Sequence, residues 1–161
     1  MRYIEIAGRT HPLRFTARAL LRTQQVCPLP FRQLFTSGEE GARWLTYCAL
    51  CDAYPFLTRR KADALFNALL PDIAPLYDAL AAAFDQSGFS REGITQEEMD
   101  RMLDAAARAG MKNSGRLLDL TYREIARELS AYLHNTPAPM TDAQMQSALN
   151  HFARRLQHAD T

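Results

Sequence analysis

The chain predicts a mainly α fold: a multi-helix orthogonal bundle carrying a small N-terminal β-hairpin, with β structure a minor part. Three observations predict it. The opening residues alternate with a period of two on either side of a glycine, the pattern of paired strands. Further on, apolar residues recur every three or four positions, which places them along one side of a helix. Three of these stretches follow a threonine with a glutamate or glutamine three residues later. That pair satisfies backbone N–H groups left open at a helix start.

Tyr3-Ile4-Glu5-Ile6 alternates, Ala7-Gly8-Arg9-Thr10 supplies a turn, and His11-Pro12-Leu13-Arg14-Phe15 returns. The glycine lets the turn take positive φ. Thr16 caps the first helix, with Phe15 and Leu20 as its hydrophobic staple. A second begins at Ser37-Gly38-Glu39-Glu40, runs through Trp44, Tyr47, Cys48 and Cys51, and stops near Tyr54-Pro55, where proline disfavours continuation. Thr58 caps a third, with Ala62, Leu65, Phe66 and Leu69 inward until Pro71 interrupts it. Pro75 falls in the first turn of the next, where a missing N–H does little harm. Leu76, Leu80 and Phe84 line that helix, and Ser87-Gly88-Phe89 ends it in Schellman fashion.

Thr95 with Glu98, and Ile94 with Met99, open a helix over about 95–109. Thr121 with Glu124 opens another over about 121–134, whose stripe is Leu118, Tyr122, Ile125, Leu129 and Tyr132. Thr141 with Gln144 opens a last one over about 141–158. Thr136-Pro137-Ala138-Pro139 before it is a stiff connector. The chain thus divides into a core with the hairpin over 1–90, a helical extension over 91–135, and a Pro-containing linker with a C-terminal helix over 136–161.

At 161 residues the chain suffices for one domain with a real core, or a domain and a small appendage. Hydrophobic residues at 47% and charged residues at 23% exclude wholesale disorder. No run approaches the ~18 apolar residues that span a bilayer, so no membrane partner is expected. An acid at Glu5, inside the first apolar patch, argues against a secretory signal and for a cytoplasmic protein. The net charge of +1 is uneven: residues 1–35 hold six arginines and one glutamate, whereas residues 63–104 hold nine acids and two arginines. Solvated helix faces explain such a split; complementary surfaces for other proteins, or for copies of the chain itself, are the sharper reading. Nucleic acid is not an expected partner, because the basic end lacks a dense Lys/Arg cluster with interleaved aromatics.

Candidate chemistry is sparse. Cys48 and Cys51 form a C-x-x-C with Cys27 as a third thiol. A redox pair wants its first cysteine at a helix N-terminus, and this pair falls well inside a predicted helix. A zinc site needs a fourth ligand, for which His11 is the nearby candidate. Packing of buried thiols accounts for them better than either. His11, His134, His151 and His158 read as surface histidines. Glu97, Glu98, Asp100 and Asp104 lie at or just after a helix start, where negative charge is favourable. No phosphate loop, nucleophile elbow or H-E-x-x-H occurs. An enzyme is not expected, and no catalytic, cofactor-binding or metal-binding residue is assigned. The stretch Leu120 to Leu129 resembles the first helix of a helix-turn-helix, the basis for an alternative reading as a DNA-associated regulator. Pro137 and Pro139 stand where the recognition helix would begin.

The run Tyr3-Ile4-Glu5-Ile6-Ala7-Gly8-Arg9-Thr10-His11-Pro12-Leu13-Arg14-Phe15, entering a helix directly, resembles the start of the tail assembly chaperones of long-tailed bacteriophages and prophages. The likeness continues through the Trp44 to Ala53 helix, the Thr58-capped segment and Ala81-Ala82-Ala83-Phe84-Asp85-Gln86-Ser87-Gly88-Phe89. Leu118 to Tyr132, with its Thr-x-x-Glu-Ile start, is similar to the family's second segment. The resemblance implies a non-enzymatic protein of the host cytoplasm. It would bind tape measure and tail tube proteins during tail morphogenesis and leave before the virion is complete. It assigns no client-binding residue. A virion or connector component is the other structural alternative.

Overall fold

In a computed structural model, the structure describes residues 1–135, and it is mainly helical with one two-stranded antiparallel hairpin. The C-terminal helix expected over 141–158, its Thr141 start, the Thr136-Pro137-Ala138-Pro139 connector, His151 and His158 lie outside the described residues. Strand β1 (Arg2–Ile6) pairs with β2 (Arg9–Leu13) in the register Ile4 to His11 and Ile6 to Arg9. Only Ala7 and Gly8 turn, at φ 52° and 75°, so Arg9 and Thr10 are strand rather than turn residues. Two consecutive positive φ values match the right-handed twist of the strands. Alanine pays for that conformation through its Cβ, and Ala7→Asn is expected to stabilise the protein by about 0.5–1 kcal/mol in chemical denaturation.

Alternation turns Ile4, Ile6, His11 and Leu13 inward and leaves Tyr3, Glu5 and Thr10 in water. Pro12 removes one N–H from β2, which blunts the strand against edge pairing. The burial of His11 corrects its expected place on the surface: its side chain follows the inward face of β2, and its Nδ1 lies 2.8 Å from Tyr54 Oη.

Helix α1 (Ala17–Val26) starts where Thr16 Oγ1 accepts the Ala19 N–H, with Phe15 and Leu20 both buried. A 3-10 stretch (Phe31–Phe35) leads into α2 (Gly38–Leu50). Cys51 is the C-cap of α2, so the helix ends at Leu50, five residues before Pro55, and Cys48 and Cys51 occupy its C-terminal end rather than its middle. Thr58 caps α3 (Arg59–Ala68) through the Lys61 N–H. Helix α4 (Ala74–Ser87) carries Pro75 in its first turn and ends on Gly88 in the left-handed region. The following Phe89 N–H donates to Ser87 Oγ.

The capping pair of α5 (Gln96–Arg108) forms in both directions: Glu98 N–H to Thr95 Oγ1 at 3.1 Å, and Thr95 N–H to Glu98 Oε2 at 2.9 Å. A second 3-10 stretch (Ser114–Asp119) precedes α6 (Tyr122–Asn135), whose Thr121 and Glu124 repeat the arrangement. Helix α6 is continuous through Asn135, so the tight turn that a helix-turn-helix requires is not found over residues 130–135.

The hairpin lies on α2 and α4, and one apolar cluster runs from Ile4 to Leu129 across residue 90. Four rings centre it: Phe84 meets Phe15 at 5.2 Å, Phe35 at 4.8 Å and Phe31 at 6.2 Å between centroids. Two polar joints tie residues 91–135 to α1. Gln24 donates to Ile94 O and accepts from Ile94 N–H, and the Ala17 N–H donates to Leu120 O. Phe89 and Tyr122 add an edge contact at 5.2 Å.

Candidate functional site

Much of the basic N-terminal charge is matched inside the molecule. Arg14 reaches Asp52, Glu124 and the Asp119 carbonyl, Arg18 reaches Asp119, and Arg32 approaches Glu92 at 3.7 Å. Partial burial alone would raise the Glu124 carboxyl. The Thr121 N–H and hydroxyl and the Arg14 guanidinium outweigh it and hold Glu124 below the ordinary carboxylate value. A lowered folded pKa gives stability that is present above the unfolded value, about 4.3, and lost as pH falls through the folded one. The wild type is therefore expected to lose stability more steeply than Glu124→Gln as pH drops below about 4, read by urea denaturation at stepped pH.

On α2 and α3, Arg59 stacks over Trp44 at 4.2 Å and Arg43 over Phe66 at 4.3 Å. Asp63 lies between them, 2.8 Å from Arg59 and 3.5 Å from Arg43. Acids on α5 are matched locally, Glu97 by Arg101 and Asp104 by Arg108. These arrangements fasten helices and turns.

The three cysteines are free; Cys48 and Cys51 are buried and Cys27 half-buried. Burial pushes all three thiols up, and the carbonyl end of α2 adds nothing to favour a thiolate. Among the described residues, no three or more His, Cys, Asp or Glu side chains come together as metal ligands, so His11 does not join the cysteines and turns to Tyr54 instead. Among the described residues no helix is long and apolar enough to cross a membrane.

What the sequence did not single out is the connection between α2 and α3. Leu57 precedes the capping Thr58 and is buried, as is Ala62, the pair that staples the start of α3. With position 57 inward, Phe56 is turned outward and is 89% exposed. The loop is firmly held. Arg22 of α1 donates to Pro55 O at 2.7 Å and Leu57 O at 2.6 Å, Tyr54 N–H donates to Leu50 O, and Tyr54 Oη meets His11. Beside it opens a depression of ≈ 510 Å³ walled by Tyr54, Pro55, Phe56, Leu57, Ala64 and Leu65, with His11, Ala53 and Lys61 completing the lining. The sequence signal was available: a Pro-Phe-Leu-Thr run assigns only the leucine to the staple, and no helical face remains for the phenylalanine.

A second groove of ≈ 470 Å³ lies between the 31–35 stretch, α2 and α4, with Phe35, Leu45, Tyr77 and Phe84 in its walls. Arg91 stands over the Phe35 ring at 5.2 Å, so a cation of the chain already occupies part of that aromatic surface. The Phe56 depression is the stronger docking candidate, because nothing among the described residues covers its aromatic wall. Compared with family models, with curated proteins and with solved structures, the chain matches none.

Proposed function

We propose that the protein is a non-enzymatic tail assembly chaperone of a bacteriophage or prophage, holding tape measure and tail tube proteins transiently in the host cytoplasm. The observation that carries the reading is the Phe56 depression: a large aromatic kept in water by a rigid loop beside an apolar hollow. Apolar surface so placed suits contact with another polypeptide, which supports the reading. The likeness of residues 1–90 and 118–132 to the tail chaperones supports the identity of the client.

Capture of the protein from induced lysogens is expected to recover a very long, helix-rich partner, and deletion of its gene is expected to stop tail assembly. Purified particles are expected to lack it by mass spectrometry, which separates a chaperone from a connector component. Intact tails after deletion, with no such partner recovered, would contradict the reading.

A further inference from the structure

We infer that the Phe56 depression takes an acidic amphipathic helix of the client, seated along the outward face of α3; the inference rests on the chaperone reading and names the chemistry of its partner. Two observations set that chemistry. The first is charge. Arg14, Arg18, Arg43 and Arg59 each have an acidic partner within the molecule. Lys61, which lines the hollow, and its exposed neighbour Arg60 have no ion-pair partner among the described residues. Asp52, close by in sequence, is engaged by Arg14. Lys61 therefore gives the hollow a cationic side, and an occupant with carboxylates flanking its apolar side chains is selected over a basic one.

The second is shape. Ala64 and Ala68, one helical turn apart and both exposed, leave a shallow lane along α3. Side chains this small let a second helix approach closely. Phe56 and Ala64 both wall the hollow, so a leucine or phenylalanine of the incoming helix finds a pocket while its backbone runs along the alanines. Strand addition is less suited here, because the nearby β2 lacks an N–H at Pro12. An apolar stripe laid into such a groove is an established recognition mode.

The test uses the full chain and two synthetic amphipathic peptides of equal length, each with the same leucine stripe, one with glutamates and one with lysines on the opposite face. Calorimetry at low salt is expected to give binding of the glutamate peptide at least about tenfold tighter than the lysine peptide, about 1.4 kcal/mol. Phe56→Ser is expected to abolish that binding while leaving the thermal transition unchanged, because the ring is solvent-exposed. The double variant Arg60→Glu with Lys61→Glu is expected to invert the preference. Equal binding of the two peptides, or glutamate-peptide binding indifferent to Phe56→Ser, overturns the inference. So does sedimentation showing a self-associated wild type that Phe56→Ser dissociates, since the occupant is then a second copy. Failure of the chaperone reading is seen separately: glutamate-peptide binding intact, but no tape measure protein recovered from lysogens. Recovery of tape measure protein undiminished by Phe56→Ser would instead contradict the inference alone.

Discussion

Phe15→Ala is expected to lower the unfolding free energy by about 3–5 kcal/mol, the range for truncating a fully buried aromatic. Phe15 is 1% exposed, lies two residues beyond the end of β2 and immediately precedes the cap of α1. Its ring stands edge-on to Phe84 of α4, itself packed on Phe31 and Phe35. Removing it takes away the transfer energy of the ring and leaves a hole at the junction of hairpin, α1 and α4, where rigid neighbours cannot collapse. Against a typical total of about 5–15 kcal/mol, the loss is large enough to bring the melting transition toward working temperatures. Urea denaturation monitored by circular dichroism measures it. A loss below about 1 kcal/mol would mean that the ring is not packed, since exposed substitutions cost that little.

The second large effect runs against local propensity. Gly41 lies inside α2, where alanine is favoured over glycine by about 1 kcal/mol. A Cβ there would sit 2.0 Å from the Leu34 carbonyl oxygen and 2.8 Å from its carbon. These are backbone atoms of the 31–35 stretch, so no side chain can swing away. Gly41→Ala is expected to destabilise by about 1–3 kcal/mol in spite of the propensity gain. Gly115→Ala, with nothing within 4 Å, is expected to stay within about 0.5 kcal/mol of wild type. The contrast between the two variants separates the close approach of α2 to Leu34 from any general effect of removing glycine.

The features legible in the sequence are those decided within a few residues. Thr16, Thr58, Thr95 and Thr121 each accept the backbone N–H three positions on, and the cap needs no knowledge of the rest of the fold. The alternation of β1 and the glycine end of α4 are equally local. The turn is two residues shorter than the sequence predicts because Ala7 takes a left-handed conformation that alanine does not signal. The burial of His11 is not legible in the sequence because the Tyr54 hydroxyl that meets it is forty-three residues away. The end of α2 at Leu50 comes before the proline that was expected to end it. The cap at Thr58 is legible in the sequence, but the outward turn of Phe56 follows only once Leu57 is assigned to the inward staple position. Partners of Arg14, from Asp52 to Glu124, are set by tertiary packing that no spacing rule reveals.

Everything proposed for the surface depends on the hairpin, α1 to α4 and residues 91–135 behaving as one body, since the Phe56 loop is held by α1 on one side and His11 of β2 on the other. Native-state hydrogen exchange tests this most directly. Ladder amides of β1 and β2, the Leu20 amide bonded to Thr16 O and the Ile125 amide bonded to Thr121 O are expected to open with the same free energy and the same denaturant dependence, as amides of one cooperative unit do. Exchange of the hairpin or of Ile125 at a markedly lower free energy than Leu20, with little dependence on denaturant, would contradict the account.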